Sequence, residues 1–236
     1  MAHQMTGRYA SACEATPTHK VCYSFNMKRK VLILSAVAIG ISACAPAATI
    51  KTYVDPDLNR GVIAQGGVTV LPVLLGSAVK DANIPELRRE LANRTGISVQ
   101  TFFPTAKIVK FEQTVSTLES EGLMDGFTST ANTFDTTGIL KSDTLSKLLA
   151  KTETRFAILP YLQSTSATRT GGGIYTTITY DAAFSMVIWD KDRNKVVYEG
   201  SGIASRVAGL FSGANILDAT YAAFDNAGKK LISDLK

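Results

Sequence analysis

Beyond residue 44 the chain has no cysteine and no histidine: Cys13, Cys22 and Cys44, with His3 and His19, are all it holds in 236 residues. For everything after Cys44 this excludes a Cys/His zinc site, a Cys or Ser nucleophile activated by histidine, and a disulfide framework. No metal or cofactor site is expected, and no catalytic residue is assigned. An excess of charge is missing too. Arg8, Lys20, Lys28, Arg29 and Lys30 precede Cys44 against the single acid Glu14, so the 25 basic and 20 acidic residues of the whole chain become 20 and 19 from Cys44 onward. The ground for a nucleic-acid partner disappears with that balance. Long apolar runs are scarce as well, and the most apolar stretch, Val31 to Ile41, is well short of the roughly 20 residues that a spanning helix needs.

What is present is an address. Met27 to Cys44 reads MKRKVLILSAVAIGISAC: Lys28, Arg29 and Lys30 form a positive start, and the apolar run after them has signal-peptide length. Its end, Ile41-Ser42-Ala43-Cys44, resembles the lipobox of bacterial lipoproteins. The resemblance implies cleavage before a diacylated Cys44, which becomes the mature N-terminus and carries palmitate-type chains. The competing reading is an ordinary secreted protein with a chance cysteine. Ala45, in place of an aspartate after the cysteine, implies by the same resemblance release to the outer membrane, facing the periplasm. Residues 1–26 have no apolar periodicity and no targeting pattern; they are read as a non-native extension from an upstream start codon, with a genuine N-terminal extension as the alternative.

Residues 44–66 are expected to be a tether, given Pro46, Pro56, Asp55, Asp57, Asn59 and Gly66-Gly67, although Thr52 to Pro56 is apolar enough to dock on the domain instead. Residues 67–236 form the expected globular domain. Val68 to Leu75 predicts a buried strand, Ile84 to Arg94 a helix stopped at Thr95-Gly96, and Ile97 to Phe103 a second strand. Pro104 opens a predicted helix, with Ile108, Phe111, Val115 and Leu118 at helical spacing as far as Gly122. Met124 to Gly138 is expected to be a polar loop, Asp143 to Lys151 a short helix, and Phe156 to Leu162 the third strand. The alternation Ile174, Ile178, Tyr180, Ala182, Phe184, Met186, Ile188 predicts a long strand, returned by the turn Asp190 to Lys195 into a hairpin partner, Val196 to Val207. A last helix spans about Ala214 to Leu235, with Leu217, Phe224, Leu231 and Leu235 on one face. The order predicts an α/β fold: a mixed β-sheet with parallel crossovers and an antiparallel hairpin, helices packed on the sheet.

Residues 67–236 resemble the envelope lipoproteins and periplasmic domains of the CsgG, LpoB and TolB N-terminal-domain group. The resemblance is carried by Val68-Thr69-Val70-Leu71-Pro72-Val73, by Phe156-Ala157-Ile158-Leu159-Pro160, by Met186-Val187-Ile188-Trp189-Asp190 before Val196-Val197-Tyr198-Glu199-Gly200, and by the alanine-rich closing helix. It implies an anticodon-binding-domain-like fold whose members assemble with protein partners, and it brings no catalytic residue with it.

Four local features invite sharper readings. Thr170-Gly171-Gly172-Gly173 lacks the Lys-Ser/Thr of a phosphate cradle and reads as a loop tip. Asp190, Asp192 and Asn194 have calcium-loop spacing, but Lys195 stands at the glycine position and Ser201 at the glutamate position, so a hairpin turn is expected. The pairs Glu119/Glu121 and Asp55/Asp57 read as solvated charge, and Trp189, with Tyr175 and Val187, as the helix-covered face of the long strand. The expected function is therefore a lipid-anchored, non-enzymatic protein-interaction module of the cell envelope, held to the membrane through Cys44 and working on an envelope protein partner. The alternative is a subunit of a CsgG-like outer-membrane secretion channel, for which only Leu162 to Tyr180 supplies an insertion. A hydrolase using carboxylates or a serine has no supporting motif.

Overall fold

In the computed structural model, the described residues are 52–80, 84–140, 142–173, 176–209 and 213–235. The extension 1–26, the signal segment 27–43, and Ile41, Ser42, Ala43 and Cys44 lie outside them, as do tether residues 45–51.

Among the described residues seven strands and six helices follow in the order β1 (Thr52–Val54), α1 (Arg60–Gly66), β2 (Val68–Val70), β3 (Leu74–Ala78), α2 (Ile84–Phe102), β4 (Ile108–Val109), α3 (Phe111–Ser120), α4 (Met124–Thr137), α5 (Ser142–Thr152), β5 (Phe156–Thr170), β6 (Thr177–Asp190), β7 (Lys195–Ala208) and α6 (Ile216–Asp234). One sheet runs β1-β7-β6-β5-β2-β4, with β3 continuing beside β5 past the end of β2. β2 is parallel to β4 and β5, whereas β5, β6, β7 and β1 are antiparallel in turn. The fold is thus the expected mixed sheet with parallel crossovers, an antiparallel hairpin and helices packed on it.

Alternate residues of the central strands feed two cores. Val68, Val70, Phe156, Ile158, Phe184, Met186 and Ile188 face α1, α2 and α6, where Phe184 meets Phe224 edge-on with ring centroids 5.2 Å apart. Ala157, Leu159, Val187 and Trp189 face the opposite way, onto Leu118 of α3, Phe127 and Phe134 of α4 and Leu145, Leu148 and Leu149 of α5. Helices on both faces make a three-layer domain, and they explain why the sheet centre reads as near-continuous apolar sequence. Trp189 is buried on the covered face, as its position in the strand suggested.

Several segments differ from expectation, and the run Val68 to Leu75, expected as one strand, is divided between β2 and β3. Ile97 to Phe103 is not a strand. α2 continues through Thr95-Gly96 because Leu87, Leu91, Thr95 and Val99, and then Phe103 just past its end, recur every four residues and are all buried, while Thr95 donates its hydroxyl to the Leu91 carbonyl at 2.7 Å. The second parallel strand is instead Ile108–Val109, inside the stretch predicted as a helix from Pro104; the helix begins only at Phe111. Met124 to Gly138 is no loop but α4, closed by Gly138 in the left-handed conformation at φ 70°. Leu217 on α6 is 36% exposed, and the buried stripe runs through Thr220, Ala223, Phe224, Ala227 and Leu231.

Candidate functional surface

The expected tether is folded from Thr52 onward. β1 pairs with β7 with Thr52 opposite Gly200 and Val54 opposite Tyr198. α1 is capped by the Asn59 carboxamide oxygen, which accepts from the Val62 N–H at 3.0 Å. Arg60 reaches from α1 to the end of α6, donating to the carbonyls of Leu235 at 3.0 Å and Ile232 at 2.7 Å, where a cation also complements the helix dipole.

Between β1 and α1, Asp55 is buried and ion-paired with Arg193 and, at 2.7 Å, with Lys195. Asp55 is therefore not the solvated charge that its sequence position suggested; Asp57 is, at 77% side-chain exposure, although it lies 3.2 Å from Arg193. Hydrogen bonds from Lys195 and Arg193 hold the Asp55 carboxyl well below the usual carboxylate range. Beside them Asp190, buried, receives a two-pronged bond from Arg155 at 2.8 and 2.6 Å and the N–H of Asp192 at 2.9 Å. Burial works to raise the pKa of Asp190, and these donors outweigh it and bring it down. The carboxylates of the calcium-like spacing are thus taken up by arginine, and Asn194, at φ 54°, makes the tight hairpin turn. Among the described residues no group of three or more His, Cys, Asp or Glu is placed to hold a metal ion. Of the other acidic pair, Glu121 is bound to Lys151 at 2.8 Å.

At the opposite end of the sheet the strands outrun the helices. β5 is buried or half-buried to Thr165 and exposed from Ser166 to Thr170; β7 is exposed over Ser205, Arg206 and Val207. The middle strand joins them through the pairs Ser166–Asp181–Ser205, Ala167–Tyr180–Arg206, Thr168–Thr179–Val207 and Arg169–Ile178–Ala208. This three-stranded ribbon is tipped by Gly171-Gly172-Gly173, a loop tip as expected, with Gly171 and Gly173 at φ 80° and 59°. Its β6 and β7 sides fall within the expected hairpin, whereas the Ser/Thr-rich continuation of β5 beyond Leu162 was not expected as strand. On its flank Asp181 accepts from the hydroxyls of Ser205 and Ser166.

A groove of about 630 Å³ between α2 and α3 is lined by Ile97, Gln100, Thr101, Lys110 and Phe111, with Ile97 exposed. No helix of the described residues is long and apolar enough to cross a membrane.

No protein-family model and no curated protein matches the chain. Among solved structures it is similar to the PelC dodecamer from Paraburkholderia phytofirmans, with 11% identity and a TM-score of 0.41 over 79% of this chain and 96% of that one. It is similar also to the lipoprotein GNA1162 from Neisseria meningitidis (15%, 0.33, 72% and 94%) and to the LpoB C-terminal domain from Salmonella enterica (10%, 0.36, 65% and 88%). Bacterial lipoproteins are thus among the structures it resembles, and a likeness of this depth carries no inference about activity.

Proposed function

We propose that the chain is a lipid-anchored lipoprotein of the bacterial envelope, held by Cys44 in the outer membrane and facing the periplasm, whose domain acts through contacts with an envelope protein and not by catalysis. The observation that carries the reading is the position of β1. β1 begins at Thr52, eight residues after the lipobox cysteine, so a lipid there holds the domain close against the membrane. The charged groups gathered at the turn end of the sheet support a non-enzymatic role, since Asp55 and Asp190 are bound to arginine and lysine and hold the fold's own segments together.

The CsgG-like channel remains the second reading because β5 and β6 do form a long hairpin, of 15 and 14 residues. Its exposed stretch on β5, Ser166 to Thr170, is short and hydroxyl-rich, whereas a spanning strand needs about 9–11 residues with an apolar lipid face.

The test is to express Cys44→Ala beside the parent chain and follow radioactive palmitate, precursor processing and in-cell cross-linking. The reading expects loss of label, accumulation of precursor, and an envelope protein cross-linked to the parent. Full labelling of the variant, or a hydrolase activity of the parent abolished by changing one Asp or Glu, overturns it.

A further inference from the structure

The groove between α2 and α3 carries two features that the fold itself does not explain. Ile97, on its α2 wall, is 69% exposed, the most of any large apolar residue among those described. One isoleucine in water is ordinary by itself. Beside it, however, Gly96 interrupts the interior of α2, where glycine lowers helix stability relative to alanine, yet a Cβ added there meets nothing within 4 Å. No contact among the described residues requires the missing side chain; a second body packed against α2 would.

The opposite wall is the start of α3, Lys110-Phe111-Glu112, and all three residues line the groove. Phe111 is half-buried, and Lys110 and Glu112 are exposed. Among the described residues neither charge has an ion partner, and charges close by in sequence are committed: Lys107 to Glu153 at 2.8 Å and Arg94 to Glu90 at 3.0 Å. A cation and an anion thus stand on either side of a phenyl ring, both unmatched. A partner that matches them must present the opposite signs in reversed order. A second copy turned about a two-fold axis beside Phe111 does so automatically, because the rotation exchanges the two positions and sets Lys110 of each copy against Glu112 of the other.

We infer that this chain pairs with a second copy of itself through the α2–α3 groove. Ile97 of each copy enters the groove of the other over Gly96, and two Lys110–Glu112 ion pairs flank the Phe111 rings. The apolar contact supplies the attraction, and the charges at the rim fix orientation and partner choice. Because the patch is consumed by pairing with itself, assembly through it closes at two chains. The pairing does not depend on the lipid at Cys44, and stands or falls separately from it.

The full chain, purified in mild detergent, is followed by sedimentation across a concentration series. The parent should pass from one chain per particle to two as concentration rises. Ile97→Asp should raise the dissociation constant at least about tenfold and leave the melting midpoint unchanged, since this side chain touches little of its own domain. Lys110→Glu and Glu112→Lys each set like charges face to face, and each should weaken pairing by at least about tenfold. An equal mixture of those two variants should recover parental pairing as a mixed dimer, because a chain with two glutamates then meets a chain with two lysines. A parent that stays single at every concentration overturns the inference, whether or not another protein binds the groove. So do particles whose mass Ile97→Asp leaves unchanged, and charge variants that the mixture fails to rescue.

Discussion

Arg193, in the turn between β6 and β7, and Asp55, at the end of β1, are ion-paired across 138 positions of sequence. With Lys195 on the other carboxylate oxygen, the pair latches the segment before α1 onto the sheet. The folded-state pKa of Asp55 is depressed, so its contribution is fully present above its unfolded value near 3.9 and is lost as pH falls below about 4. Asp55→Asn should leave the core folded but speed proteolysis ahead of α1 at neutral pH. It should also make the loss of stability below about pH 4 shallower than in the parent, as read from urea midpoints across the acid range.

Gly202 on β7 lies against the backbone of α6: a Cβ there would sit 2.3 Å from both the Ala223 carbonyl oxygen and the Ala227 nitrogen. Neither atom can swing away as a side-chain tip would, so Gly202→Ala should cost about 1–3 kcal/mol by pushing α6 off the sheet. Gly172→Ala at the ribbon tip, where a Cβ meets nothing within 4 Å, should be close to neutral. Thermal melts of the two variants make the comparison.

Trp189, the chain's single tryptophan, is 1% exposed within the second core. Trp189→Ala opens a cavity in the second core and should lower stability by about 3–5 kcal/mol in denaturant titrations followed by circular dichroism.

Tyr221 on α6 has its pKa pushed up to about 12, by burial and by donating its hydroxyl to Glu90, while Arg94 stacks 4.0 Å from its ring centroid. A raised folded-state pKa means that its contribution is full below the unfolded value near 10 and is lost as pH rises through about 12. Tyr221→Phe should therefore flatten part of the alkaline fall in stability between about pH 10 and 12. Tyr161 and Tyr198, raised chiefly by burial, keep the remainder.

The strands around the sheet centre were legible because apolar alternation in Ile178 to Ile188 and the compact runs at Val68 and Phe156 have no other stable use. The helices were less so. In α4 the residues that look like a loop are threonines whose hydroxyls fold back onto the carbonyl four residues earlier, Thr128 on Met124, Thr130 on Gly126, Thr133 on Ser129, so that their polar groups are satisfied within the helix. The signal that could have exposed it is Phe127, Ala131 and Phe134 at helical spacing. For α2 the β-branched Ile97 and Val99 outweighed an unbroken four-residue period. Of the ribbon, the extension of β5 from Gln163 to Thr170 was invisible, because it is set by backbone pairing with β6 and its outer half has no buried face of its own. Likewise the burial of Asp55 depends on partners 138 and 140 residues away, which no local pattern reports.

The three-residue pairing of β1 with β7 also fixes how the domain answers a pull. Interstrand hydrogen bonds lie perpendicular to the strands, so tension on the chain ahead of Thr52, directed along β1, loads the ladder side by side in shear instead of unzipping it one bond at a time. Behind the ladder the Asp55 carboxylate, gripped by Arg193 and Lys195, takes the load next, and Arg60 on the end of α6 after it. A pull on the chain ahead of Thr52 is thus resisted by the β1 ladder, then by the Asp55 ion pairs, then by the Arg60 bonds to the end of α6.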